Sequence, residues 1–290
     1  MPKAAYDKIG KYLVKRVIRS TGSADLYEGF DPDLEQKVAL KIFLIKERLL
    51  KKLPYSRESW QRRFIREAKL LSQIDHPHVI SLRELSTWEE KPFYVMPYVE
   101  TNLLYEMGVD GDLEHYAPEL QDAPLARQLT VLRSVEILYQ TASALAAFHG
   151  RGLVHRDIKP ANILLTKKKK GLVKLCDPGM VKFPNSEESL GGYWIGTEDY
   201  IAPEQKRSAM DVKATADIYA LGVMGYRMLV GHLPAGVFSG PKEDVAAVPE
   251  ALNDLIMRSM SRKVKRRPIN ALAFLTELAP IRADLRRRGG

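Results

Sequence analysis

Residues 153–165 read LVHRDIKPANILL, and this stretch decides how the rest of the chain is read. Asp157, Lys159 and Asn162 fall close together, after an apolar-periodic segment that ends near Phe148 and before the apolar run Ile163-Leu164-Leu165. Pro160 stops a helix from running through them, because proline lacks the N–H and fixes φ. The three therefore share one irregular loop between a helix and a strand. Each residue type alone is ordinary surface. Together they offer a carboxylate base, a cation and an amide oxygen able to hold a metal. That set suits phosphoryl transfer, where a protein mainly positions groups and neutralises charge.

Downstream, a second apolar run, Leu172 to Cys176, reaches a lone carboxylate at Asp177, and Pro178 and Gly179 then break the chain. Asp-Pro-Gly is strong turn chemistry. Between the two runs, Lys167–Lys170 reads as a solvated hairpin turn. Upstream, short strand-like runs at Tyr12–Val14, Val17-Ile18, Leu26-Tyr27 and Val38–Phe43 precede a helix over Glu58–Ile74, in which Phe64, Ala68, Leu71 and Ile74 recur at helical spacing. His76-Pro77 ends it, and strands are expected near Val79–Leu85 and Phe93–Val99. After Val99 the pattern turns helical, over Leu125–Phe148, Thr215–Leu229, Pro249–Ser259 and Asn270–Leu278. Strands first and helices later predict two unequal lobes. Thr101–Pro124 is a polar, acidic surface excursion, and Arg286–Arg288 a frayed solvated tail.

At 290 residues, with 45% apolar and 28% charged residues, the chain can bury a normal core. Its net charge of +9 favours anionic partners without choosing among them. Cys176 is the only cysteine, so no disulfide framework and no CxxC zinc site can form, and a reducing compartment is expected. Cys176 itself reads as a buried, inert thiol. His76, His78, His115 and His232 show no ligand spacing. The first residues carry charges throughout, unlike a signal peptide, and Ala220–Gly231 is too short to span a bilayer.

HRDIKPAN at 155–162 resembles the catalytic loop of the eukaryotic-type protein kinases, in particular their bacterial serine/threonine members. The resemblance extends over residues 9–280, in the family's order: VALK at 38–41, REAKLL at 66–71, FYVMPYVE at 93–100, DPG at 177–179, GTEDYIAPE at 196–204, DIYALG at 217–222 and RRP at 266–268. It implies an α+β, bilobal fold, with an antiparallel sheet plus one helix in residues 1–98 and a mostly helical lobe in residues 99–290. The implied activity is transfer of the ATP γ-phosphoryl group to serine or threonine hydroxyls of protein substrates, the chain itself included, with Mg²⁺ or Mn²⁺.

Residue by residue, the resemblance makes Lys41 the holder of the α- and β-phosphates and Glu67 its anchor. Asp157 orients the substrate hydroxyl and takes its proton, Lys159 neutralises the moving phosphoryl group, and Asn162 and Asp177 are the metal ligands. Ile18, Gly22, Leu26, Ala39, Met96 and Leu164 would surround the nucleotide, with the main chain of Pro97, Tyr98 and Val99 along the adenine edge. Arg156 would meet a phosphate on the activation segment, where Ser189 is a better acceptor than Ser186, while Thr197 would bond Asp157 and Lys159. Glu204 would pair with Arg267, and Asp217 would hold the catalytic-loop backbone.

Two departures stand out. Pro178 replaces the family's phenylalanine, which implies a thinner apolar column with His155 and Leu71 and a stiffer turn. Arg19, Thr21 and Ala24 stand at the three phosphate-loop glycines, with only Gly22 nearby. Each unsuitable position is expected to weaken ATP binding by on the order of 1 kcal/mol, unless Arg19 compensates. These departures support an alternative reading, a pseudokinase scaffold that binds nucleotide without turning it over. A small-molecule phosphotransferase is opposed by the intact GTEDYIAPE segment, and a nucleic-acid role rests on charge alone. The expected location is cytoplasmic, with any membrane link through a segment outside this chain.

Overall fold

The computed structural model describes residues 6–52, 55–108, 125–167, 171–178, 198–207 and 212–288. The chain divides into two compact units. Unit one takes the described residues within Met1–Asp75 and Val79–Glu100; unit two takes His76–His78 and the described residues from 101 onward.

Unit one is built on strands β1 (Lys8–Ile9), β2 (Tyr12–Ser20), β3 (Ala24–Asp31) and β4 (Gln36–Phe43), helices α1 (Glu47–Lys52) and α2 (Arg57–Gln73), and strands β5 (Glu84–Trp88) and β6 (Lys91–Pro97). The six strands form one antiparallel sheet in the order β1-β2-β3-β4-β6-β5. The two runs seen at Tyr12–Val14 and Val17-Ile18 are a single strand. Register shifts at 14/16 and 17/19 break its alternation, as β-bulges do. On one face Ile9, Tyr12, Tyr27, Val38, Leu40, Ile42, Phe93 and Val95 form a buried cluster. The opposite face of β4 meets α2 through Phe43 and Phe64, whose rings lie 5.8 Å apart. Burial on both sides explains why β4 reads as a nearly unbroken apolar run.

Helix α2 starts at Ser56, whose hydroxyl accepts the Ser59 N–H at 3.2 Å, an N-cap that satisfies one otherwise orphaned donor. It buries Phe64, Glu67, Ala68, Leu70 and Leu71. The expected strand over Val79–Leu85 starts only at Glu84, because Val79 and Ile80 are side-chain anchors outside the ladder. The short helix α1 adds a second helix to the one expected in this unit.

Unit two begins with β7 (Thr101–Asn102), α3 (Leu103–Met107) and α4 (Val131–His149), and continues with β8 (Ile163–Leu165), β9 (Val173–Leu175), α5 (Pro203–Arg207), α6 (Thr215–Val230), α7 (Pro241–Asp244), α8 (Glu250–Ser259) and α9 (Ala271–Arg288). β7, β8 and β9 make a small antiparallel sheet; β8 and β9 pair antiparallel on either side of the lysine run, of which Lys168–Lys170 lie outside the described residues. Helix α4 starts at Val131 rather than near Leu125, because Thr130 caps it and Leu125 is exposed. Helix α6 is buried nearly all round, the mark of a core helix. Gly222 and Gly225 let its neighbours approach: an added Cβ would lie 2.8 Å from Ser259 and 2.5 Å from Ile256, respectively.

Helix α9 runs ten residues past the expected end at Leu278 and through Pro280. Interior proline costs a helix about 3 kcal/mol, and contacts to α4 act against that cost. Arg282 makes a bidentate contact with Glu136 at 2.9 Å and lies over the Tyr139 ring at 3.9 Å, and Arg286 joins the same carboxylate at 2.5 Å. Arg286–Arg288 are thus the last helical turn and not a frayed tail. None of the described helices is long and apolar enough to cross a membrane.

Candidate active site

The loop after α4 carries three of the predicted groups together. Lys159 Nζ reaches both oxygens of Asp157, at 2.9 and 2.8 Å. Asn162 Nδ2 donates to the Asp157 carbonyl at 2.8 Å and to its carboxylate at 2.9 Å. Lys159 and Asn162 are buried, and Asp157 is half-buried. A 3-10 turn over Pro160–Asn162 brings the amide back onto the carboxylate. With its nitrogen engaged, Asn162 keeps Oδ1 as the acceptor for a ligand. The Cys176 N–H donates to the Asn162 carbonyl at 3.0 Å, and its thiol to the same oxygen at 3.4 Å. That tie delivers the next residue, Asp177, beside the loop. Cys176 is only half-buried and is used in the join, which corrects the expectation of a buried, idle thiol.

Asp217, in the first turn of α6, fixes the loop from below. Its Oδ1 accepts the Arg156 N–H at 2.8 Å, and its Oδ2 the His155 N–H at 2.8 Å. His149 Nε2 lies 2.9 Å from that second oxygen. Burial pushes the Asp217 carboxyl up, but the His149 bond, the two nearby imidazoles and the backbone donor outweigh it and hold it below the usual aspartate range. Burial pushes the His155 ring below the ordinary histidine range, against the charges of Asp217, Asp157 and Asp177. Arg156 and Asp177 both have left-handed backbone, with φ of 68° and 62°. Side chains other than glycine rarely adopt it, and it recurs at functional sites. Arg156 is buried, and its Nε and Nη2 make no hydrogen bond among the described residues.

Unit one carries the other pair. Lys41 Nζ lies 2.7 Å from Glu67 Oε1, with both side chains largely buried. The sheet register puts Leu26, Lys41 and Tyr94 in one row and Glu28, Ala39 and Met96 in the next, on the same face. Leu26, Ala39 and Met96 thus share a face with Lys41. Ile18 is half-buried in the bulged part of β2, and Leu164 is half-buried in the middle of β8 in unit two. Pro97 closes β6, and Tyr98, next along, accepts from Arg16 at 3.0 Å.

The turn over residues 20–24 is drawn inward. The Thr21 N–H donates to the Ala24 carbonyl at 2.9 Å, and the Thr21 hydroxyl accepts the Ser23 and Ala24 N–H groups at 3.4 and 3.0 Å. The carbonyls of Gly22 and Ser23 bond the N–H groups of Lys46 and Leu44. Three N–H groups that a phosphate could use are occupied internally. Lys46 Nζ, 2.8 Å from the Ser20 hydroxyl, brings a cation to this turn. Arg19 is exposed on its strand, as a solvent-facing arginine would be.

The expected support pairs are present. Glu204 and Arg267 form a bidentate bridge at 2.6 and 2.9 Å, with the guanidinium fully buried and further bonded to the Ser261 and Thr215 carbonyls. Gly179, Ser186, Ser189 and Thr197 lie outside the described residues, and Pro178 is buried. Sequence reading missed three contributors. His149 also accepts the Ala271 N–H at 3.0 Å. Gln205 donates to the Arg156 carbonyl at 3.0 Å, and Tyr94 bonds Glu67. Only Tyr94 carried a readable signal, its place opposite Lys41 in the strand register.

The donor set fits a hard divalent cation. Asn162 offers an amide oxygen and Asp177 a carboxylate, oxygen ligands of the kind magnesium takes.

Comparison with known proteins identifies the family. The family model described as "Protein kinase domain" matches residues 12–284. The chain is 31% identical over 292 residues to the probable serine/threonine-protein kinase pknA2 of Bifidobacterium longum, covering 95% of this chain and 36% of that one. It is 30% identical over 300 residues to the serine/threonine-protein kinase pkn2 of Myxococcus xanthus, with 95% and 33% covered. It is 32% identical over 257 residues to the serine/threonine-protein kinase PrkC of Bacillus subtilis, with 88% and 34% covered. The chain thus spans about a third of the length of these relatives. The crystal structure of the PknI kinase domain of Mycobacterium tuberculosis shares the fold, with a TM-score of 0.66 at 21% identity over 97% of this chain and 99% of that one.

Proposed function

Because the chain belongs to the protein kinase domain family, we propose that it transfers the γ-phosphoryl group of ATP to serine or threonine hydroxyls of proteins. One observation carries the reading: the Asp157 carboxylate is gripped by Lys159 and Asn162 on a loop anchored to buried Asp217. That is a base held in a fixed pose beside a cation, which is what a reaction governed by positioning and charge requires.

In the proposed reaction the substrate hydroxyl bonds to Asp157, and its oxygen attacks the γ-phosphorus. The bond from that phosphorus to the β–γ bridging oxygen breaks, and ADP leaves. The hydroxyl proton passes to the Asp157 carboxylate. Lys159 neutralises the charge carried by the moving phosphoryl oxygens. Lys41, steadied by Glu67, holds the α- and β-phosphates. Leu26, Ala39, Met96, Ile18, Gly22 and Leu164 surround the nucleotide, with the backbone of Pro97, Tyr98 and Val99 along the adenine edge. Asn162 and Asp177 would hold Mg²⁺ or Mn²⁺, which when bound offsets the triphosphate charge. Arg156 would receive a phosphate on the activation segment, placed by the chain acting on a second copy of itself. Its Nε and Nη2, buried and without a hydrogen bond among the described residues, support that role. The reading places the activity in the cytoplasm.

The test is label transfer from Mg²⁺-ATP to a basic protein substrate, for the native chain, Asp157→Asn and Lys41→Met. Transfer by the native chain and its loss in both variants is the expected result. No transfer by the native chain with either metal, alongside a nucleotide-dependent rise in melting temperature, would favour the scaffold instead.

A further inference from the structure

The hydroxyl of Tyr94 is the part of β6 that packing does not explain. Phe93, Tyr94, Val95 and Met96 are all buried, and an apolar ring would fill the Tyr94 position equally well. A buried hydroxyl costs stability unless it is bonded. This one donates to Glu67 Oε1, the same oxygen that Lys41 Nζ reaches at 2.7 Å. Tyr94 stands directly opposite Lys41 in the β4–β6 register, so both side chains rise from one face. The Lys41 ammonium lies 5.6 Å from the centre of the Tyr94 ring, within cation–π range. Phe64, three residues before Glu67 on the same side of α2, packs against that ring in a tilted arrangement, centroids 5.0 Å apart. One buried phenol therefore touches the cation, its carboxylate partner and the helix that carries the carboxylate.

We propose that Tyr94 is a positioning residue for phosphoryl transfer, fixing the Glu67 carboxylate in the pose that holds Lys41. The inference rests on the functional reading above. A glutamate held by one flexible lysine can turn about its side-chain bonds. A second donor from a rigid strand removes that freedom and ties α2 to the sheet at the point where the pair forms. The Lys41–Glu67 pair is then set by the fold of unit one itself.

The experiment compares the full chain with Tyr94→Phe, which removes only the hydroxyl, alone and in a Glu67→Ala background. Expected is a roughly tenfold fall in kcat/KM for Mg²⁺-ATP, about threefold of it in affinity, at a temperature where both proteins are folded. In the Glu67→Ala background the same substitution should change kcat/KM less than about twofold, because the group it acts through is gone. A hydroxyl that only stabilises the fold would lower the melting temperature of Tyr94→Phe in the native background and leave kcat/KM of the folded protein unchanged. Native-like kcat/KM in Tyr94→Phe, or an equal loss in both backgrounds, overturns the proposal. If the native chain transfers no phosphoryl group, the functional reading fails by itself, and calorimetric binding of Mg²⁺-ATP decides on Tyr94. Binding that is unchanged by Tyr94→Phe, or absent from the native chain, overturns the proposal as well.

Discussion

Asparagine in place of Asp217 is nearly isosteric, so the substitution isolates hydrogen bonding from packing. The carboxylate serves three donors: the Arg156 N–H at one oxygen, and the His155 N–H and His149 Nε2 at the other. An amide has one oxygen. Its better orientation keeps that oxygen at the two-donor position and turns its NH₂ toward the Arg156 N–H, donor against donor. One bond to a charged group is lost, worth about 1.5–3 kcal/mol, and a buried N–H is left unsatisfied at about 1–3 kcal/mol. The remaining bonds also lose their charge assistance. Because these costs overlap, about 3–4 kcal/mol of unit-two stability should go. Arg156 directly precedes Asp157, so the base should lose its fixed pose. Urea unfolding followed by circular dichroism measures the first effect, and steady-state phosphotransfer at a temperature where the variant is folded measures the second. A kcat fall of tenfold or more, with the KM for ATP within about threefold, is expected. Unfolding within about 0.5 kcal/mol of native would refute the bond accounting. A large stability loss with native kcat per folded molecule would refute the link from Asp217 to Asp157.

Other substitutions probe separate features. Thr21→Gly should free the Ser23 and Ala24 N–H groups and tighten Mg²⁺-ATP binding by about fivefold, measured by calorimetry; weaker binding would mean that the hydroxyl organises the turn rather than blocks it. The β5–β6 hairpin turns through Glu89 and Glu90 at φ of 47° and 61°, a conformation that asparagine and glycine adopt readily. Glu90→Gly should therefore raise stability by about 0.5–1 kcal/mol, and a lower denaturation midpoint would count against it. Acidification should destabilise the protein. His155 stays neutral in the fold, and half-buried His78 is shifted downward in the same sense by burial. The unfolded chain takes up those protons below about pH 6.5, so stability is full above that pH and falls as pH drops toward the folded-state values. Urea midpoints at pH 7.5 and 5.5 should fall in that order, and His155→Leu should flatten the slope.

The candidate catalytic loop was legible because its chemistry is local: Asp157, Lys159 and Asn162 lie close together in the chain, and Pro160 excludes a helix between them. Asp217, Glu204 and Arg267 were legible only by resemblance, since nothing in their own surroundings in the chain tells that they meet partners far away. The expected strand at Val79–Leu85 was misplaced because buried side chains in irregular backbone look like strand residues. Helix α9 outran its expected end because the contacts that carry it past Pro280 come from Glu136 and Tyr139 on α4, invisible to local propensity. The inward fold of residues 20–24 was hidden for the same reason. Its stabilising bonds come from Leu44 and Lys46, beyond β4, and from a threonine side chain rather than from any glycine pattern.

Helix α6 runs through the interior of unit two with Asp217 at its leading end. The loop that carries Asp157 is therefore registered against a buried, close-packed helix rather than against the surface. A methyl group added at Gly225 would press on Ile256 and Leu138, well away in sequence from any reacting group. Because a close-packed interior transmits strain instead of absorbing it, such a change would surface as a misaimed base at the opposite end of the same rod. In this fold, errors of volume become errors of aim.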